Sequence, residues 1–203
     1  MTSIELRSDH LLPPQWKPSQ EVGWWGMVLV CLTEASLFAY FIVSYFYLDV
    51  KNPAWPPAGT EDPTLKLPLI MTAVLLSSSG VLLFAEKRRE HGSRGVYRAA
   101  TMVTVLLGLA FLVLQVKEYS DKLHRFTPQS NAYASVFYTI TSFHGAHVAF
   151  GLLLLLYTLL RDVFGKIDPE RPILIKATSL YWHFVDGVWL VILTSLYLSP
   201  HFA

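Results

Sequence analysis

Five apolar blocks, each about as long as the roughly 20 residues a helix needs to cross a bilayer, dominate this chain. They run from Trp24 to Leu48, Leu67 to Ala85, Tyr97 to Val116, Ala132 to Leu160 and Ala177 to Leu198. One such block could be the core of a soluble domain. Five, separated by short polar loops, predict an all-α polytopic membrane protein: one bundle of five transmembrane helices over residues 24–203, preceded by a polar tail over residues 1–23. Only 15% of the 203 residues are charged, against about a quarter in soluble domains.

The tail, "MTSIELRSDHLLPPQWKPSQEVG", has no apolar h-region and mixes both charges, so it does not read as a signal peptide. A net charge of +1 with no concentrated basic face predicts no nucleic-acid partner. Cys31 is the single cysteine. It supports neither a disulfide framework nor a thiolate metal cluster. No GxSxG elbow points to a nucleophilic hydrolase.

Loop charge sets the expected orientation. With the N-terminus cytoplasmic, eleven basic residues lie inside: Arg7, Lys17, Lys87, Arg88, Arg89, Arg94, Arg98, Arg161, Lys166, Arg171 and Lys176. Five lie outside: Lys51, Lys66, Lys117, Lys122 and Arg125. The excess predicts N-terminus in and C-terminus out, hence a multi-pass membrane protein. Trp24, Trp25, Tyr97, Tyr181 and Trp182 on one side, with Tyr45, Tyr47, Tyr119, Tyr133 and Tyr197 on the other, are expected to form the interfacial belts. The Pro- and Gly-rich "DVKNPAWPPAGTEDPTLKLP" reads as an ordered turn rather than a helix, and "EKRREHGSRG" as a charged hairpin that could touch anionic lipid.

Ionisable groups inside a span need a partner or a role. Glu34, His144, His147, His183 and Asp186 are the candidates, with Glu118 where the third span meets the outer surface. Helical rise places His147 roughly 21 Å from the inner surface and His183 about 10 Å from it, too far apart for two faces of one haem iron. Glu34 and Asp186 lie at about 15 Å, out of level with His144, which disfavours a metal site. The reading kept is structural. Gly145 and Ala149 in "GAHVAFG", and "SSSG" at Ser77 to Gly80, allow close helix approach. His144 and His147 should hydrogen-bond across helices, and His183 should pair with Asp186 one turn on. Glu34, with no basic residue in its span, favours its neutral protonated form. It suits either a helix–helix hydrogen bond or a proton route.

The chain resembles the cytochrome c oxidase subunit III family of the haem-copper respiratory oxidases. "WGMVLVCLTEASLF" carries the family carboxylate at Glu34, and "WPPAG" resembles its outer-loop signature at Trp55. "LPLIMTAVLLSSSG" and "LGLAFLVLQVKEY" resemble the next two helices, with Gln115, Glu118 and Tyr119 at the family's Gln and Glu-Tyr positions. "SFHGAHVAFG" resembles the His-Gly-x-His motif at His144 and His147, and "YWHFVDGVWL" the closing motif with Trp182, His183 and Asp186. Met71, Ser142 and Thr33 depart from the usual Asn, Gly and Ser. Many members have seven spans, with the first two forming one wall of a lipid-filled cleft; this chain shows five and resembles the five-span bacterial form.

The resemblance implies a non-catalytic subunit of a proton-pumping oxidase that reduces dioxygen to water. It implies no haem, copper or other cofactor on this chain, with haems and copper in the partners. It also implies bound phospholipid, contact with the catalytic subunit I, subunit II and a small subunit IV, and help in sustaining proton uptake. The alternatives are subunit III of a quinol oxidase, the accessory subunit of a nitric oxide reductase, a free-standing dihaem cytochrome, and a transporter. A transporter should show a continuous polar path or broken helices; neither is evident.

Overall fold

In hydrocarbon no water is available to satisfy the main chain, so each apolar block must close its own helical ladder. A computed structural model describes residues 20–52, 55–57, 65–124, 126–167 and 173–201. Residues 1–19 of the expected polar tail, and most of the Pro- and Gly-rich loop, lie outside the described residues. The five helices are α1 (Gln20–Lys51), α2 (Lys66–Glu90), α3 (Arg94–Leu123), α4 (Ala132–Val163) and α5 (Ile173–Ile192). A π-helical turn, Leu193–Leu198, extends α5. All five helical segments are long and apolar enough to cross a membrane. The edges of the Pro- and Gly-rich stretch are helical rather than turn, because α1 continues to Lys51 and α2 begins at Lys66.

The helix ends are written into local sequence. Asn131 caps α4 by accepting from the Ala134 amide at 2.8 Å. α2 ends with Gly92 at φ 82°, where the Gly92 and Ser93 amides donate to the Arg89 and Arg88 carbonyls. α4 ends the same way at Gly165 (φ 66°), with Gly165 donating to Asp162 and Lys166 to Arg161. Both are Schellman closures, which need a residue tolerant of positive φ.

α4 packs against α1, α3 and α5, while α5 packs against α1, α2 and α4; α2 and α3 form a tight hairpin. Burial follows this order. Of the most apolar 18-residue window, 56% is buried in the α5 segment and 11% in α1. α1 therefore presents Leu29, Leu32, Tyr40 and Val43 outward. The expected aromatic belts are mostly not belts. Tyr45, Tyr97, Tyr133, Tyr181, Trp182 and Tyr197 are buried in the bundle, and only Trp24, Trp25 and Tyr47 are exposed. Large rings fill the space between five helices more completely than aliphatic chains, and the polar tips of Trp182 and Tyr197 find partners there.

The end of the bundle where α1 starts carries most of the basic residues, and there α2, α3 and α4 are clamped by one buried carboxylate. Asp162 is 1% exposed and meets Arg89 at 2.9 Å and Arg98 at 2.7 Å. Arg98 also donates to the Asp162 carbonyl at 2.8 Å. Replacing Asp162 with Asn strands two cations, and removing one partner of a buried ion pair costs about 3–5 kcal/mol. Arg98 is 36% exposed, so Arg98→Gln should cost much less. Thermal unfolding of the purified protein should rank D162N well below R98Q; equal losses would contradict the clamp.

Candidate functional site

The polar residues singled out in the sequence gather along the seams of α4 and α5. Trp182 fills a slot shaped by two glycines: a Cβ at Gly108 would lie 2.6 Å from its ring, and one at Gly151 would lie 2.9 Å from it. Its indole N–H donates to Ser78 Oγ at 3.0 Å. Trp189, two turns on, donates to Thr72 Oγ1 at 2.9 Å. The small and hydroxyl residues of α2 thus receive the aromatic face of α5.

His183 and Asp186 do not pair directly, contrary to their i, i+3 spacing. His183 Nδ1 instead bonds Ser79 Oγ at 3.2 Å. Ser79 also lies within reach of Asp186. His183 Nε2 and Asp186 Oδ1 have no hydrogen-bond partner among the described residues. The hydroxyl of the neighbouring helix intercepts what sequence spacing assigns to a pair on one helix.

The two α4 histidines part company. His144 is fully buried, its ring against Phe38, Phe111 and Trp189. Neither ring nitrogen has a partner among the described residues, which corrects the expected interhelical hydrogen bond. His147 turns to α1 and meets Glu34, with Nε2 2.9 Å from Oε2. Its Nδ1 lies 2.7 Å from the Phe143 carbonyl. A carbonyl can only accept, so Nδ1 carries a hydrogen. The Nε2–Oε2 contact then holds a single proton, on either the carboxyl or the imidazole, and the pair is neutral as a whole in both forms. That resolves how a lone glutamate survives in an apolar span. The depth count set Glu34 and His147 apart, but the 2.9 Å contact puts them at one level. The pair sits at the edge of the bundle, its side chains 32% and 15% exposed, beside a cavity of about 360 Å³ that Tyr181 and Phe150 also line.

Towards the opposite end, Gln115 donates to the Thr141 carbonyl at 2.6 Å. It lies against Gly145, where a Cβ would come within 2.7 Å of its amide oxygen. Tyr119 continues the clip through Thr141 Oγ1 at 2.6 Å and Ser142 Oγ at 3.0 Å. Buried Glu118 accepts from Lys122 at 2.8 Å and from Tyr197 at 3.1 Å. Lys122 in turn sits 4.1 Å from the Phe137 ring centroid. The π-helical turn carries Tyr197, and Ser195, Leu196 and Tyr197 are all buried in it. Trp55 packs edge-on to Tyr45 and Tyr133 at 5.6 and 5.4 Å. Among the described residues no three His, Cys, Asp or Glu side chains come together as a metal site.

Sequence reasoning missed the Asp162 clamp. The signal was present: an acid just past the leucine-rich end of α4, facing a hairpin whose basic residues were read only as loop charge.

Two variants test these contacts. Gly108→Ala forces its methyl into Trp182 and Leu152, and overpacking of this kind costs about 1–3 kcal/mol. Combined with Trp182→Phe, the loss in unfolding temperature should be less than additive; strict additivity would contradict the slot. Glu34→Gln keeps a donor for His147 Nε2, whereas Glu34→Ala removes it. The alanine variant and His147→Leu should therefore be non-additive when combined, with a coupling of about 1 kcal/mol, and Glu34→Gln should be the milder single change.

A sequence model of the family described as "Cytochrome c oxidase subunit III" matches residues 17–200. The chain is 36% identical over 174 residues to "Cytochrome c oxidase subunit 3" of Synechocystis sp. (strain ATCC 27184 / PCC 6803 / Kazusa), covering 85% of this chain and 74% of that protein. It is 34% identical over 186 residues to the protein of the same name from Papio hamadryas, covering 89% and 70%. It is also 34% identical over 198 residues to that from Petromyzon marinus, covering 95% and 75%. Over nearly its whole length, and in the helices that carry Glu34, Gln115, His147 and Trp182, the chain belongs to the cytochrome c oxidase subunit III family.

Proposed function

We infer that this chain is the non-catalytic subunit III of a haem-copper oxidase that passes electrons from cytochrome c to dioxygen. The observation that carries this reading is the family match across residues 17–200. The use of the intramembrane polar groups supports it: His147, Gln115, Glu118, Trp182 and Trp189 spend their hydrogen bonds on neighbouring helices. Such a chain is built to hold a shape beside a catalytic partner. Both nitrogens of His147 are engaged, which argues against the dihaem cytochrome. The relatives' names speak for a cytochrome c oxidase rather than a quinol oxidase or nitric oxide reductase.

The finer parts of the reading rest on physical arguments. The basic end faces the cytoplasm, because loop arginines and lysines resist translocation; the five-span form favours the inner (plasma) membrane of a bacterial cell. Haems and copper belong to the partners, which are the catalytic subunit I, subunit II and a small subunit IV. α1, the least covered helix, meets phospholipid along its outer face. The Glu34–His147 pair at that edge holds one movable proton and supports sustained proton uptake by the complex.

The deciding experiment captures the chain from mild-detergent membranes and records the absorption spectrum and oxygen consumption of what accompanies it. Oxidase haem bands with cyanide-sensitive, cytochrome c-driven respiration are expected; a colourless chain without a large haem protein would overturn the assignment. In that complex Glu34→Ala should leave haem content unchanged and hasten inactivation during turnover. Unchanged long-term turnover would remove the pair from any part in proton uptake.

A further inference from the structure

Towards the end opposite the Asp162 clamp, oxidisable rings run in contact from α5 to the edge of the bundle. The ring centroids of Trp189 and Tyr197 are 6.2 Å apart. Phe137 of α4 bridges Tyr197 and Tyr133 at 5.7 and 6.2 Å, stacked on the latter. Tyr133 meets Trp55 at 5.4 Å and Tyr45 at 6.2 Å. Tyr45, Tyr133, Trp189 and Tyr197 are buried, while Trp55, beyond the end of α1, is only half-buried. Phenylalanine would fill the same space. Tryptophan and tyrosine are the aromatic side chains that most readily give up one electron.

Tyr197 differs from the other rings in its surroundings. Its hydroxyl donates to buried Glu118, 3.1 and 3.2 Å from the two carboxylate oxygens. Lys122 pairs with the same carboxylate at 2.8 Å and lies 4.9 Å from the Tyr197 ring centroid. A cation held by the face of the ring opposes positive charge on it, so this ring loses an electron only together with its phenolic proton. Glu118 is already hydrogen-bonded to that proton and can accept it. A π-helical turn, Leu193–Leu198, carries Tyr197 to this place, and such irregular turns are frequent at functional sites. We propose that the column is a one-electron relay in which Tyr197 is the proton-coupled station. Trp189 passes an electron to an oxygen-centred radical, the class of stray oxidant that dioxygen reduction generates, and the radical takes a proton from its surroundings to become a hydroxyl compound. Tyr197 refills Trp189, giving its proton to Glu118 and becoming a neutral phenoxyl. An electron from reduced cytochrome c enters at Trp55 and crosses Tyr133 to Tyr197, and Glu118 returns the proton. The net change is one electron from the donor and one proton from the surroundings, both taken up by the radical. The proposal rests on the oxidase reading above, which supplies the oxidant and the donor.

The test uses the purified complex and supplies the oxidant from outside. A water-soluble ruthenium photo-oxidant, flash-excited beside a sacrificial cobalt(III) electron acceptor, oxidises the exposed end of the column, and the frozen sample is read by electron paramagnetic resonance. The wild type should show a neutral tyrosyl component that narrows with ring-deuterated tyrosine, and Tyr197→Phe should remove it while leaving any other radical. Trp55→Phe and Tyr133→Phe should each lose the same component, because they stand between the surface and Tyr197. Glu118→Gln, which cannot take the proton, should lose it as well, and Glu118→Asp should keep it. A wild-type spectrum with no component that Tyr197→Phe removes overturns the relay. A Tyr197 component unchanged in both Trp55→Phe and Tyr133→Phe overturns the path. If Tyr197→Phe does not assemble, the two Glu118 variants decide alone, and identical tyrosyl signals in them overturn the proposal. The photo-oxidant replaces the oxygen-centred radical, so a failed relay leaves the oxidase reading standing; the haem bands and oxygen consumption of the same preparation decide that reading.

Discussion

Trp182 is the piece on which the bundle turns, because three helices are shaped around it. Gly108 of α3 and Gly151 of α4 leave the room its ring occupies, and Ser78 of α2 takes its N–H. In lipid the apolar faces of helices gain little by leaving the solvent, so association depends on close packing and on hydrogen bonds between helices. One indole supplies both at a single point. Trp189 repeats the arrangement towards the other end, against Thr72 and Phe111. α5 can therefore be the most buried segment and still carry tryptophan, histidine and aspartate.

Around that axis three acids are paired with bases at three levels. Asp162 holds two arginines at the basic end, Glu34 and His147 share a proton within the bundle, and Glu118 and Lys122 close the opposite end beneath Tyr197. The clamp at the basic end and the pair at the opposite end each join an acid to bases and lie near the helix ends. The pair deepest in the span is the one that can be written without formal charge, as the cost of charge in hydrocarbon requires.

The family relationship gives this economy a purpose. A subunit that carries no redox cofactor of its own contributes shape, and its polar groups serve that shape. The Glu34–His147 pair is partly exposed at the edge of the bundle.

The five spans were legible in the sequence because apolar blocks of membrane length leave the main chain no alternative to helix. So were the close-packing segments, since Gly145 and the serines of α2 advertise small volume wherever they lie. Glu34 and His147 could be named as exceptional from their apolar surroundings alone. Their union could not, because it depends on how α1 lies against α4. His183 and Asp186 show the converse: spacing on one helix made them partners, and Ser79 on another helix took the hydrogen bond to His183 instead. The aromatics placed in the belts and the acid of the Asp162 clamp were likewise visible as residues but not as contacts. Sequence by itself determined which segments are helices and which residues are too polar for lipid, because those follow from local chemistry. Which of those residues meet was decided only by the tertiary structure, because helix rotation and offset are set jointly by all five helices packing together.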